Sequence, residues 1–262
     1  MKKCCLLIPY YNAGDALLRS IDSVDFLSDG PDILVVDDGS SRIAASEVLK
    51  KYSGKLEVYL VQLEFNKGIQ FALNAGLEWC SDKYEYIARL DCGDLCKGGR
   101  ISKQIRFLDE NPEVMMVGAW VDYVDEKGEK IFTYKPPVSY ESIRRKMFIN
   151  STFVHPAVML RSCFMSVVGK YPTEYPAAED YALFFEIIER FPAVNIPEVL
   201  LDYEVDPSSI SSVKRNRQIR SRISIIIKHF DFSFYAFYGL IRSMILLFTS
   251  RNLIIFINRL RF

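Results

Sequence analysis

The sequence predicts an α/β fold: a central, mostly parallel sheet covered by helices, followed by a helical appendage that is basic and apolar. Three observations predict it. Short apolar runs alternate with helical periodicity through the first hundred residues, giving the order βαβαβαβ. The strands of that series end in polar or acidic loops. The charge is also divided: the 262-residue chain is neutral overall, yet residues 213–262 hold ten Lys or Arg against Asp231 alone, a net +9 that leaves residues 1–212 at −9. A basic tail on an acidic body points to an acidic partner surface for the tail, membrane or nucleic acid.

Taken in order, Cys4 to Ile8 is a short apolar strand closed by Pro9. Asn12 is placed to cap the next helix, whose inner face is Leu17, Leu18, Ile21 and Val24. Asp32 to Val36 is a second strand, ending at Asp37-Asp38-Gly39-Ser40. Ala44 to Tyr52 is helical, Leu56 to Leu63 a third strand, and Ile69, Ala72, Leu73, Gly76 and Leu77 form an i, i+3, i+4, i+7, i+8 helical stripe. The fourth strand, Tyr84 to Leu90, runs into Asp91-Cys92-Gly93-Asp94. Residues three apart on an extended strand face opposite ways, so the chain must turn at Cys92-Gly93 for both carboxylates to meet, and Gly93 accepts the positive φ such a turn requires. Two carboxylates there suit a hard divalent cation if a phosphate supplies further oxygens.

Ile101, Ile105 and Leu108 mark a helix stopped by Asn111-Pro112. Val114 to Val124 and Ile131 to Tyr134 read as a hairpin around Asp125-Glu126-Lys127-Gly128. A short helix spans Tyr140 to Phe148, after Pro136-Pro137. Phe153 to Leu160 reads as an apolar strand carrying His155-Pro156, the Tyr181 to Phe191 helix follows Glu179-Asp180, and Val194 to Ile196 and Leu200 to Tyr203 are two short extended pieces. In the tail, Arg220 to Phe230 alternates basic and apolar residues, and Phe232 to Phe248 is apolar except at Arg242. That is short for a spanning helix and charged at its centre, so residues 213–262 are expected to lie in a membrane interface. A helical pair packed on the body, or in a homodimer, is the alternative. Liposomes rather than nucleic acid are the favoured partner, because the tail is rich in apolar and aromatic residues.

Six cysteines without paired spacings, with only His155 and His229 beside them, argue against a zinc site and for reduced, cytosolic thiols. The first strand begins at once, so no signal peptide is expected. No Gly-x-Gly-x-x-Gly follows the first strand and no Gly-x-x-x-x-Gly-Lys occurs, which disfavours dinucleotide oxidoreductases and P-loop NTPases.

Parallel strands share their carboxyl edge, so four loops fall together there. They are Pro9-Tyr10-Tyr11-Asn12, Val36 to Ser40, Asn66-Lys67-Gly68 and Asp91 to Asp94. With Ala72-Leu73-Asn74-Ala75-Gly76, Ala88-Arg89-Leu90-Asp91, Arg100 with Gln104, His155-Pro156-Ala157-Val158-Met159 and Ala178-Glu179-Asp180-Tyr181, this series resembles the GT-A fold, family 2-type glycosyltransferases of bacterial surface polysaccharide synthesis. The resemblance runs through residues 4–212. It implies a catalytic domain over 1–212, with a nucleotide-sugar half at 1–111 and an acceptor half at 112–212, and a tail over 213–262.

The resemblance further implies that Pro9, Tyr11, Asn12, Asp38, Gly68 and Asp91 bind the donor, with Asp38 accepting from a uracil N–H. Lys67, Arg89 and Arg100 are candidate cations for the same ligand. Asp180 matches the family's catalytic base, with Glu179 beside it at the helix N-terminus and His155 on the acceptor side. A Mg2+ or Mn2+ ion neutralises a diphosphate leaving group without proton transfer. The family's Asp-x-Asp is here Asp91-Cys92-Gly93-Asp94, so metal ligation falls to Asp91, Asp94 or both. Asp206 stands where the family often has a histidine and is a further candidate metal ligand, while Glu204, where the family often has an arginine, cannot do that residue's work. The implied function is inverting transfer of a hexose, from a UDP-linked donor, to a lipid-linked saccharide at the inner face of the cell membrane, by a peripheral protein. A sugar nucleotidyltransferase and a membrane-docked scaffold disabled at Gly93 are the alternatives.

Overall fold

The computed structural model describes residues 2–25, 30–205 and 215–249. Four strands, β1 (Lys2–Tyr10), β2 (Asp32–Asp37), β3 (Val58–Gln62) and β4 (Tyr84–Arg89), form a parallel half-sheet in the order β3-β2-β1-β4. The helices between them are α1 (Ala16–Asp22), α2 (Ala45–Leu49) and α3 (Ile69–Cys80). β2 is buried along its whole length, as a continuous apolar run beneath two helical layers must be. One core lies on each face: Leu7, Leu34, Leu73 and Leu77 belong to one, Leu6, Ile8, Ile33 and Val35 to the other.

The sheet continues through β8 (Met159–Arg161), β6 (Met116–Val124), β9 (Ala193–Glu204) and β5 (Leu95–Cys96), with β7 (Lys130–Tyr134) on the free part of the β6 edge. β8 runs antiparallel to β4 and β6, while β6 and β9 run parallel. The helices of this half are α4 (Arg100–Glu110), α5 (Tyr140–Met147), α6 (Phe164–Val167) and α7 (Glu179–Arg190).

Three local expectations change. Phe153 to Leu160 is not one strand: Pro156 lacks an N–H and fixes its φ, and His155–Ala157 form a 3-10 turn before β8. The two extended pieces near residue 200 are one strand, β9, in which a register shift against β6, from Ala119 opposite Ile196 to Trp120 opposite Val199, accommodates Pro197. Asn12 does not cap α1, which follows Asp15 without a side-chain cap. Its Oδ1 instead accepts from the amides of Arg42 and Ile43, at 2.9 and 3.1 Å, across the edge of the site.

The described part of the tail, residues 215–249, forms two helices, α8 (Arg215–Lys228) and α9 (Phe234–Phe248), packed on each other and on α5 and α7. α9 has its small residues inward, with Ala236, Gly239 and Ser243 buried, and a Cβ on Gly239 would meet the Phe148 carbonyl. Phe234, Phe237, Tyr238, Ile241, Ile245 and Phe248 face outward. Arg222 and Arg242 are turned to the body and donate to the Ile149 carbonyl. No described helix is long and apolar enough to cross a membrane.

Candidate active site

The carboxyl edge of β2 is built from two carboxylates whose four oxygens all accept backbone N–H groups. Asp37 takes the amides of Ser40 (2.9 Å) and Ala45 (2.8 Å). Asp38 takes those of Lys67 (2.9 Å) and Gly68 (2.8 Å), fixing the Asn66-Lys67-Gly68 loop at the start of α3. Gly39, at φ +64°, lets the two loops touch: a Cβ there would lie 2.3 Å from the Phe65 carbonyl carbon. Asn12 is tied in by its amide, which donates to Ser40 Oγ at 2.9 Å, and its side-chain Nδ2 is buried without a partner. Pro9 is half-buried at the β1 end and accepts from the Cys92 thiol at 3.5 Å. Tyr11 is 47% exposed beside it, and Lys67 lies over the Phe65 ring. Thus Pro9, Tyr11, Asn12, Asp38, Lys67 and Gly68 line neighbouring loops.

One strand further, at the β4 end, Arg89 is almost wholly buried. Its Nη2 donates to Asp91 Oδ1 at 2.7 Å and its Nη1 to the Leu90 carbonyl at 3.0 Å. Its Nε donates to His155 Nε2 at 3.3 Å, and that nitrogen is 2.8 Å from the Tyr171 hydroxyl. Burial and the adjacent guanidinium hold His155 well below the ordinary imidazole range, so the ring is neutral; with Nε2 as acceptor, the network assigns the proton to Nδ1. His155 therefore orients Arg89 and, through it, Asp91. Asn74 makes two bonds of 2.9 Å to the Tyr171 backbone, which anchors this chain of contacts to α3.

Gly93 adopts φ +103°, the turn required of it, and its amide donates to Ser20 Oγ at 2.9 Å. Asp94 is turned inward: Oδ1 accepts from the Glu204 amide at 2.9 Å, and Oδ2 is buried with no partner. Burial, then the Asp91 charge, raise its carboxyl well above the ordinary range. The Glu204 carboxylate lies beside Gly93, in ordinary contact range of where a Cβ would stand, and pairs with Arg19 at 3.0 Å. Arg100 departs from the expectation of a donor contact. It is 1% exposed, and its guanidinium is consumed by the carbonyls of Arg89 and Val158 and by Gln104 Oε1, bracing the floor of the site.

At the start of α7, Glu179 and Asp180 face the same cluster. Burial, then the neighbouring Asp180, push the Glu179 carboxyl up to about 7, and Glu179 Oε2 is buried without a partner. Burial also raises Asp180, whose Oδ1 accepts its neighbour's amide, Tyr181 N, at 2.7 Å. Arg89 and Asp91 act electrostatically on both carboxyls, and the phenols of Tyr171 and Tyr203 are raised chiefly by burial, with Asp91 and Asp180 adding to the shift in each. Asp91, Asp94, Glu179 and Asp180 thus gather around Arg89, while Asp38 lies along the same strand edge. No three His, Cys, Asp or Glu among the described residues make a ready metal cage. Asp91 and the unpartnered Asp94 Oδ2 are nonetheless hard oxygen donors that fit a cation whose shell a diphosphate completes. Asp206 lies outside the described residues.

Sequence reasoning gave no role to Ser20, Tyr171 or Tyr203 at the site, and only a place in a motif to Asn74 and Glu204. Ser20, Tyr171 and Tyr203 sit in segments whose periodicity marks helix, loop or strand and nothing more.

Residues 5–167 match the model of glycosyl transferase family 2. The amylovoran biosynthesis glycosyltransferase AmsE of Erwinia amylovora is 30% identical over 219 residues, 81% of each chain. The UDP-Gal:alpha-D-GlcNAc-diphosphoundecaprenol beta-1,3-galactosyltransferase of Escherichia coli is 29% identical over 219 residues, 82% of this chain and 77% of its own. Among solved structures, S. aureus TarS 1-349 in complex with UDP-GlcNAc superposes with a TM-score of 0.69 at 17% identity, covering 92% of this chain and 71% of TarS 1-349. The mannosyltransferase PcManGT of Pyrobaculum calidifontis, in complex with GDP-Man and Mn2+, gives 0.65 at 18% identity, covering 94% and 69%. The alternating strands, the loops on one edge and the carboxylates gathered there have the GT-A arrangement, and the chain belongs to glycosyl transferase family 2.

Proposed function

We propose that this glycosyltransferase moves a hexose from a UDP-linked donor to a hydroxyl of a lipid-linked saccharide, with inversion, at the inner face of the cell membrane. The observation that carries the reading is the gathering of Asp91 and Asp94, from the end of β4, with Asp180, from the start of α7, around one buried arginine. The nucleotide lies across the β1 and β2 loops, with Asp38 and Asn12 toward the base. Asp91 and Asp94 would hold a Mn2+ or Mg2+ ion, which supplies charge neutralisation for the departing diphosphate. Asp180 takes the proton from the acceptor hydroxyl as its oxygen bonds to the anomeric carbon, and the bond from that carbon to the diphosphate breaks on the opposite side. Its raised pKa makes it a stronger base once ionised, and Arg89 holds Asp91 in place.

A lipid-linked acceptor accords with α9, whose large apolar residues point away from the body, and with the +9 charge of residues 213–262. A donor screen with purified protein tests the chemistry. Release of nucleoside diphosphate from one UDP-sugar, lost in Asp91→Asn, supports the reading; pyrophosphate release from UTP and a sugar 1-phosphate would mean nucleotidyl transfer instead. Co-sedimentation with anionic liposomes, and not with DNA, is the outcome expected for the tail.

A further inference from the structure

Beside the carboxylates, one rung of the sheet carries an aromatic ring on each of three adjacent strands. Tyr203 of β9 is paired with Tyr123 of β6, and Tyr123 with Phe132 of β7. Partners on one rung present their side chains on one face. Tyr203 and Tyr123 have ring centroids 4.7 Å apart, and Tyr123 and Phe132 stack at 4.5 Å with 12° between planes. Tyr134 closes on Tyr123 edge-on. The near end of the rung abuts the site, since the amide of Glu204, the residue after Tyr203 on β9, donates to Asp94 Oδ1 at 2.9 Å.

The far end is open. Phe132 is 48% exposed and its neighbour Ile131 56%. The hydroxyls of Tyr123 and Tyr203 have no hydrogen-bond partner among the described residues. Cross-strand stabilisation alone accounts for the stacking, but it leaves the exposed ring and the two unused hydroxyls without a purpose. A pyranose ring offers what they lack: an apolar C–H face for an aromatic ring and hydroxyls for the phenols.

We propose that the Tyr203–Tyr123–Phe132 rung is the acceptor-saccharide subsite, where one pyranose ring packs its C–H face on the aromatics and hydrogen-bonds the two phenol hydroxyls. The assignment rests on the transferase reading above and adds where the acceptor lies: on the β6–β7–β9 side of Asp180, continuous with the catalytic carboxylates.

Saturation-transfer NMR tests it. Protein aromatic protons are irradiated in the presence of UDP and Mn2+, with the methyl glycosides of glucose, galactose and N-acetylglucosamine as probes. At least one glycoside is expected to receive saturation on its ring C–H protons. Phe132→Ala should weaken its binding about fivefold and Tyr123→Phe by less, with Phe132→Trp restoring it. UDP affinity should stay at the wild-type value in all three, and the melting temperature should fall in Phe132→Ala only by the few degrees that losing one cross-strand pair costs. Equal saturation in Phe132→Ala, or none reaching any glycoside from UDP-bound wild type, overturns the subsite and leaves the transferase reading standing. Failure of wild type to bind UDP overturns both. Sedimentation on the same samples must show no change in mass; a dimer that Phe132→Ala dissociates would assign the rung to a second copy and overturn the proposal.

Discussion

Two pairs of adjacent carboxylates sit at this site, and they are built in opposite ways. Asp37 and Asp38 each have both oxygens accepting backbone N–H groups, from two loop segments and the start of α2. Glu179 and Asp180 are nearly starved of donors: Glu179 Oε2 is buried with no partner, and burial raises both carboxyls. A carboxylate saturated with amides holds the loops of the site in register. One deprived of them has spare basicity for a proton or a ligand. The first pair maintains the shape of the site, the second its reactivity.

The strongest way to break this contrast is Asp180→Asn. It should lower kcat by about a thousandfold while the melting temperature stays near that of wild type, since few bonds are lost; near-normal turnover would remove Asp180 from the base role. Asp37→Ala should show the reverse. The amides of Ser40 and Ala45 lose their acceptor, and a cost of about 3 kcal/mol should appear in the urea midpoint, with kcat within about twofold of wild type once folded.

A pH series sharpens the comparison further. Glu179 has a folded pKa of about 7, above its unfolded value, so between the ordinary carboxylate range and about 7 the folded state binds more protons than the unfolded. Stability should therefore fall as pH rises through that window, by on the order of 2 kcal/mol, and Glu179→Gln should flatten the profile. A profile with the same slope in both proteins would sink the assignment. The smallest expected effect is that of Asn74→Ala, which frees the Tyr171 backbone ahead of the segment leading to Glu179. About 1 kcal/mol of stability and a modest fall in kcat should follow, measured by thermal melts and initial rates.

Much of the parallel half-sheet was legible because its signals are local. The β1, β2 and β4 runs and the α3 stripe each declare themselves within a dozen residues, and the loops after them share an edge by geometry. Less of the second half was legible. Pro156 and Pro197 broke the expected patterns at opposite ends, one cutting a strand short and the other being absorbed by a shifted register within a longer strand. Asn12, a plausible helix cap by position, is used to bind the following loop, because its φ of 52° turns it away from α1.

The sequence by itself determined the α/β class, the order of the first seven elements, the Asp91–Gly93–Asp94 turn and the loops of the carboxyl edge. Each follows from periodicity, from turn chemistry or from the shared edge of parallel strands. Only the tertiary structure decided that Arg100 braces the floor, that His155 aims Arg89 at Asp91, that Glu204 lies beside Gly93, and that three aromatics form one rung. The reason is sequence separation: those partners are up to a hundred residues or more apart, and no periodicity within a strand or helix encodes which distant side chain will meet it.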